Sequence, residues 1–244
     1  MSGGKNRVDG QAAWVLHALP YRETSLMLEV FSREHGRVGL VARGARRPHS
    51  QLRGLLLGFQ PLELSWFGAG EVRTLANAEW VGGQPLLAGK ALLVGYYLNE
   101  LLMRLLHRDD AHPALFDAYA DAVRRLALNP AAVAEPADLR RFELTLLQEL
   151  GYGVPLDHEV ENQEAVEEEG LYAYLLERGP VRIPDNNVAS QVFTGRALLA
   201  MARDDYSEAE TLQQARTLMR LLLGHYLGGQ ALNSRRIFMD LQEL

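Results

Sequence analysis

The chain has no cysteine among its 244 residues. Disulfide bonds, thiolate zinc sites and cysteine nucleophiles are therefore excluded. Lysine is nearly as scarce, with only Lys5 and Lys90, so arginine carries almost all of the positive charge. The apolar runs are too short to span a bilayer, and no signal peptide is visible. We therefore expect a soluble, cytoplasmic protein with no membrane partner.

Motifs that would indicate an enzyme are also missing. There is no Walker-type phosphate loop, no Rossmann glycine pattern that opens a helix, and no nucleophile elbow. One ligand-like cluster exists, with His107, Asp109, Asp110 and His112 in the sequence HRDDAHP. This stretch is explained more simply as the end of one helix and the start of the next. We expect no catalytic residue, no metal site, no cofactor and no small-molecule substrate.

Positive charge is unevenly distributed along the chain. The whole protein has a net charge of −6, with 48% hydrophobic residues and 23% charged residues, which is ordinary for a folded protein. Residues 1–84 have a net charge of +3, whereas residues 85–244 have a net charge of −9. A basic N-terminal part and an acidic C-terminal part indicate two regions with different partners.

Six arginines and a single glutamate lie between Arg33 and Arg53, in the run REHGRVGLVARGARRPHSQLR. An acidic protein that concentrates arginine in one short segment is expected to meet a polyanion there. Nucleic acid is the first candidate, because arginine neutralises phosphates well. The alternative is a solvated loop with scattered charge.

Alternating apolar residues and glycine-rich turns predict five strands within the first 82 residues. These strands are Ala12–Leu19, Leu26–Phe31, Arg37–Ala42, Leu62–Phe67 and Glu71–Trp80. Five such strands suit a small closed barrel of the oligonucleotide/oligosaccharide-binding (OB) type, with an SH3-like barrel as the main competitor. We therefore predict an OB-type domain over residues 1–82.

Helical periodicity replaces strand alternation after Pro85. The pattern predicts an α-helical domain over residues 83–244, with helices at Leu86–Leu106, Ala114–Leu128, Ala137–Leu150 and Glu208–Tyr226. An acidic insert near residues 157–187 is expected to hold a short hairpin at Tyr172–Leu176 and Val181–Ile183. The predicted fold class is α+β multidomain, a five-stranded OB-type β-barrel followed by an α-helical domain.

Five separated segments have a familiar order. They are WVLHALPYRETSLMLEVFSREHGRVGLVARGAR (14–46), YYLNELLMRLL (96–106), LRRFELTLLQELGYG (139–153), FTGRAL (193–198) and HYLGGQALNSRR (225–236). Together they resemble the bacterial RecO recombination mediators over nearly the whole chain. Many members of that family carry a four-cysteine zinc element in the C-terminal region. This chain resembles a zinc-lacking type, with the acidic insert in that place.

The resemblance implies a DNA repair and recombination protein that acts in the cytoplasm, at the nucleoid. It implies binding of single- and double-stranded DNA and strand annealing. It also implies contact with RecR and with the acidic C-terminal tail of single-stranded-DNA-binding protein, so that RecA can be loaded during gap repair. Two alternatives stay open: an RNA-binding barrel protein, and a protein adaptor without a recombination role.

Candidate DNA contacts are arginines. On the barrel we expect Arg37, Arg43, Arg46, Arg47, Arg53 and Arg73, with Arg196 in the FTGR motif and a second basic spot at Arg235 and Arg236. Base stacking is possible at Trp14, Trp66 and Phe67, although strand alternation favours the core for each of them.

The receptor for the acidic tail should pair a cation with an apolar pocket. Arg140 and Arg141 precede a leucine-rich helix face that includes Leu144. We favour Arg140 as the carboxylate partner, with Arg124 or Arg125 on the preceding helix assisting. The alternative is that these arginines only solvate the helix ends.

Overall fold

The computed structural model describes residues 6–128, 136–184, 191–234 and 237. The chain divides into two compact units. The first comprises residues 1–133 together with 232–244, and the second comprises residues 134–231.

Five strands of the first unit form a closed barrel, in the order β1-β2-β3-β5-β4. The strands are β1 (Arg7–Tyr21), β2 (Ser25–Ser32), β3 (Gly36–Ala42), β4 (Leu62–Phe67) and β5 (Val72–Trp80), and the short helix α1 (Leu52–Leu55) lies between β3 and β4. The long strand β1 pairs antiparallel with both β2 and β4. Parallel pairing of β3 with β5 completes the closure.

The barrel closes around side chains that alternate along each strand. Leu28 and Val30 of β2, Leu40 of β3, and Leu64 and Trp66 of β4 are fully buried in one apolar cluster. Successive side chains of a strand point to opposite faces, so these residues share the inner face. The predicted five-stranded barrel and the helical region that follows it are confirmed.

Two helices, α2 (Gly89–Leu105) and α3 (Pro113–Leu128), belong to the same unit as the barrel. The Tyr119 hydroxyl donates to the Asn99 side-chain oxygen at 2.6 Å, and the Asn99 amide donates to the Leu16 carbonyl at 2.8 Å. Burial raises the pKa of Tyr119, which therefore stays a hydroxyl donor. The Tyr119 ring packs edge-on against Trp14 of β1. A buried polar chain and aromatic contacts thus join both helices to the barrel.

The second unit combines helices α4 (Pro136–Glu149), α5 (Gly195–Ala202) and α6 (Ala209–Tyr226) with strands β6 (Leu171–Leu175), β7 (Gly179–Ile183) and β8 (Phe193–Thr194). The strands form an antiparallel sheet in the order β7-β6-β8. Helix α6 packs against α4 and α5. The Thr194 hydroxyl accepts a hydrogen bond from the Ala197 N–H and so caps α5.

Glu100 of α2 holds the segment that returns to the first unit. Its carboxylate accepts hydrogen bonds from the Asn233 N–H, the Ser234 N–H and the Ser234 hydroxyl, at 2.7–2.9 Å, and it pairs with Arg104. Burial raises the pKa of Glu100, but these bonds and Arg104 outweigh it, and the pKa lies below its ordinary value. The ionised form is therefore the one that anchors the segment.

Substitution Glu100→Gln should lower the free energy of unfolding by about 1–2 kcal/mol at pH 7, because charge-assisted hydrogen bonds are lost. A carboxyl group with a depressed pKa stabilises the fold above its unfolded-state pKa, and this contribution is lost as the pH falls through the folded-state pKa. The difference between wild type and variant should therefore shrink below about pH 4.3. Urea unfolding at a series of pH values measures it, and a difference that is constant with pH would contradict this account.

Candidate nucleic-acid interface

The loop that follows β3 is fixed against the turn between β1 and β2. The Arg46 N–H donates to the Thr24 carbonyl at 2.8 Å, and the Arg46 guanidinium donates to the Arg22 and Glu23 carbonyls at 3.3 and 3.4 Å. Ala45 is completely buried in the barrel core. With Ala45 inward and Arg46 tied to the turn, the neighbouring side chains have defined places at the barrel surface.

Four arginines line one pocket at this place, with a volume of about 350 Å³. These arginines are Arg22, Arg43, Arg47 and Arg73. The rest of the pocket lining is Tyr21, Thr24, Ser25, Val41, Gly44, Val72 and Thr74. Among the described residues, Arg22, Arg43 and Arg47 have no carboxylate within ion-pair distance. Their guanidinium groups are therefore available to an external anion, and their forked donors suit phosphate oxygens.

Two backbone conformations shape the pocket. Gly44 has a φ of +70°, and a Cβ there would lie 3.5 Å from Arg47 Nε. Arg22 has a φ of +52°, in the left-handed region that residues other than glycine seldom adopt. Its guanidinium lies 5.2 Å from the centre of the Tyr21 ring, within cation–π range. Arg22 stands alone in a turn without basic neighbours in the sequence, so local charge density does not reveal it as a pocket residue.

The predicted barrel arginines separate into two groups. Arg43, Arg46, Arg47 and Arg53 are exposed, with Arg53 on helix α1. Arg37 is partly buried; its guanidinium donates to the Met103 carbonyl and lies 3.9 Å from Glu29. Burial lowers the pKa of Arg37. Arg37 thus supports the packing of α2 on the barrel.

Arg33 and Arg73 are also paired with carboxylates. Arg33 binds Asp117 of α3 with two hydrogen bonds, at 3.0 and 2.8 Å. Arg73 lies 2.7 Å from Asp109.

In the described part of the chain no three histidine, aspartate or glutamate side chains are grouped as they would be around a metal ion. Asp109 of the HRDDAHP stretch pairs with Arg73 instead, and His112 lies 3.4 Å from Asp110.

Aromatic side chains near the basic loop differ in exposure. Both tryptophans are buried, as strand alternation predicted: Trp66 lies in the barrel core, and Trp14 lies on the outer face of β1 against Tyr119 of α3. Phe67 is 44% exposed at the end of β4, paired across the strands with Thr74 of the pocket. Trp80 at the end of β5 is 56% exposed and was not selected from the sequence. Of the predicted stacking candidates, Phe67 therefore has the solvent-exposed ring.

The arginines predicted for the acidic tail all have partners within the chain. Arg140 lies 2.8 Å from Glu143, with 11% and 1% of their side chains exposed. Arg141 binds Asp138 and Asp204 and lies over the Tyr206 ring, and Leu144 beside it is half-buried. Arg124, which lies in the first unit, pairs with Asp121.

The remaining basic candidates lie outside the barrel. Arg196 at the start of α5 is exposed and lies 3.1 Å from Glu169. Arg235 and Arg236 fall outside the described residues. No helix in the described part of the chain has the length and apolar character needed to cross a membrane.

The closed five-stranded barrel and the helical region that follows it define an OB-type protein. The family model described as recombination protein O, N terminal, matches residues 10–84, and the model described as recombination protein O, C terminal, matches residues 87–236. The chain belongs to the recombination protein O family, and the resemblance seen in the sequence is confirmed.

Several relatives named DNA repair protein RecO are similar over nearly their whole length. The protein of Azoarcus sp. (strain BH72) is 58% identical over 98% of this chain and 99% of the relative. Those of Aromatoleum aromaticum and Dechloromonas aromatica are 57% and 54% identical, with the same coverage. The chain is accordingly a DNA repair protein of this family.

Substitution Arg140→Ala should lower the free energy of unfolding by about 3 kcal/mol, because it removes the cation that lies against the buried Glu143 carboxylate. The matched change Arg124→Ala breaks an exposed ion pair and should cost less than about 1 kcal/mol. Urea unfolding measures both. Adding Glu143→Gln to the Arg140 variant should restore part of the loss, and equal losses for the two single variants would disprove a structural role for Arg140.

Proposed function

We propose that the protein binds single- and double-stranded DNA through its arginine pocket and promotes annealing of complementary strands. The observation that carries this proposal is the pocket itself, where Arg22, Arg43 and Arg47 converge without carboxylate partners among the described residues. Arg46 in the loop after β3 and Arg53 on helix α1 are exposed as well. Membership of a DNA repair family supports DNA as the polyanion.

Binding in this proposal is independent of base sequence. Guanidinium contacts to phosphate position a nucleic acid but carry no information about its bases. Each neutralised phosphate releases condensed counterions, so affinity should fall steeply with salt concentration. A surface that screens phosphate repulsion without selecting sequence lets any two complementary strands approach. Annealing by this route needs no covalent step and no cofactor.

The proposed biological role is that of a recombination mediator at the nucleoid, in the cytoplasm. In it the protein acts with RecR and single-stranded-DNA-binding protein to load RecA during gap repair. For the acidic tail we favour Arg141 and Leu144 as the receptor, because 35% of the Arg141 side chain is exposed, against 11% of that of Arg140. A tail carboxylate would have to displace Asp138 or Asp204 from the Arg141 guanidinium. Arg196 stays a candidate for a second DNA contact.

Neutralising the pocket should weaken DNA binding strongly. In the double variant Arg43→Gln/Arg47→Gln, the slope of log affinity against log salt for single-stranded DNA should become shallower by about 1.4, because two phosphate contacts are lost. Fluorescence anisotropy with a labelled oligonucleotide measures both affinity and slope.

The matched control is Arg216→Gln/Arg220→Gln, which removes the same charge from exposed positions of α6 in the second unit. It should leave the slope nearly unchanged. If the pocket and control variants lose affinity equally, the pocket is not the DNA site. A strong preference for RNA over single-stranded DNA of equal length would favour the alternative of an RNA-binding protein.

Phe67 should matter for single strands more than for duplexes. Its exposed ring can stack with an unpaired base, which is worth about 1–3 kcal/mol, whereas bases of a duplex are already stacked. Phe67→Leu should therefore weaken single-strand binding about fivefold or more and leave duplex binding nearly unchanged. Parallel anisotropy titrations with a single strand and its duplex measure this, and equal effects on both would exclude base stacking at Phe67.

A further inference from the structure

One arginine of the pocket, Arg73, already forms an ion pair with a carboxylate of the same chain. Arg73 lines the pocket with Arg22, Arg43 and Arg47, and its Nη1 lies 2.7 Å from Asp109 Oδ1. The Arg73 side chain is 20% exposed and that of Asp109 is 47% exposed. The pair therefore borders solvent, where water and an external anion can compete for the guanidinium.

The fold holds Asp109 in this position. Its backbone has a φ of +59°, which aspartate and asparagine tolerate better than most residues, and its N–H donates to the Arg37 carbonyl of β3 at 3.0 Å. The preceding Arg108 forms a parallel bridge with Arg37. Backbone hydrogen bonds to β3 of the barrel thus fix the position of Asp109.

Arg108 adds a second anchor for the same stretch. Its guanidinium pairs with Glu29 and donates to the Glu71 carbonyl at 3.1 Å. Gly39 makes room for it, because a Cβ at Gly39 would lie 2.6 Å from Arg108 Nη1. These contacts with β2, β3 and the residue before β5 keep the Asp109 carboxylate near Arg73 in the absence of DNA.

We infer that Asp109 is an affinity-determining residue, an internal competitor for the DNA phosphate that Arg73 would otherwise bind. Carboxylate and phosphate offer the same paired oxygen acceptors to a guanidinium. A partly exposed ion pair is held only weakly, so a phosphate can replace the carboxylate. Once displaced, Asp109 also repels the neighbouring phosphates. Both effects lower the affinity for the sugar–phosphate backbone.

The inference rests on the proposed DNA-binding function and adds a reason for it. An annealing protein must release the duplex that it helps to form, and a surface that binds phosphate too tightly would retain it. A fixed internal carboxylate weakens the contact at one arginine while leaving the other pocket arginines available. Asp109 would in this way set the balance between capture and release.

The test compares Asp109→Asn with Asp110→Asn. Both variants remove one negative charge from adjacent residues, but Asp110 contacts His112 and not Arg73. Asparagine retains the tolerance for positive φ that residue 109 requires. In anisotropy titrations with single-stranded DNA, Asp109→Asn should bind several-fold tighter at low salt, with a slope steeper by about 0.7, and Asp110→Asn should change both much less.

Arg73 provides an independent measurement that does not depend on the folding of the Asp109 variant. Arg73→Gln should weaken binding less than Arg43→Gln, because Arg73 is masked in the wild type. Added to Asp109→Asn, the same Arg73→Gln change should remove the gain in affinity. Equal affinities of the two asparagine variants, or a gain that persists without Arg73, would overturn the inference.

The two proposals fail in different ways. If Arg43→Gln/Arg47→Gln binds DNA like its control, the pocket is not the DNA site and the proposed function loses its main support. If that variant binds poorly while Asp109→Asn behaves like Asp110→Asn, the pocket binds DNA and only the role of Asp109 is wrong.

Discussion

The hydrogen bond from the Arg46 N–H to the Thr24 carbonyl is the constraint on which the candidate site depends. It joins the loop after β3 to the turn between β1 and β2, while Ala45 fills space in the barrel core. Arg43 and Arg47 are thereby placed beside Arg22. Like charges repel each other, so their convergence must be maintained by backbone bonds and core packing. The repulsion that remains is relieved by a bound polyanion.

The same residue type serves two purposes in this barrel. Arg37 and Arg108 use their guanidinium groups to hold α2 and the stretch after it against the strands, through the Met103 and Glu71 carbonyls and the Glu29 carboxylate. Arg43 and Arg47 keep theirs open to solvent. Their position in the fold makes the difference, because the guanidinium groups of Arg37 and Arg108 are partly buried against internal acceptors, whereas Arg43 and Arg47 lie at the exposed surface.

Regular elements with a clear period were predictable from the sequence. The strand expected at Leu26–Phe31 is found at Ser25–Ser32, and the helix expected at Ala114–Leu128 is Pro113–Leu128. Alternation and the 3.6-residue repeat are local signals, so they need no tertiary information. Helix α5 was missed because it has only eight residues. Short helices depend on packing, which the local pattern does not contain.

By itself, the sequence determined the fold class and the segment in which basic residues concentrate, because composition and periodicity are properties of the chain. The family was indicated by the resemblance of five sequence segments in their order along the chain. Only the tertiary structure decided which arginines face the pocket. Arg22 lines the same pocket as Arg47 because Arg46 is hydrogen-bonded to the turn that contains Arg22. Arg73 pairs with Asp109, which lies 36 positions further along the sequence. Coulomb interactions and hydrogen bonds act through space, so the partner of a charged side chain is known only once the chain has folded.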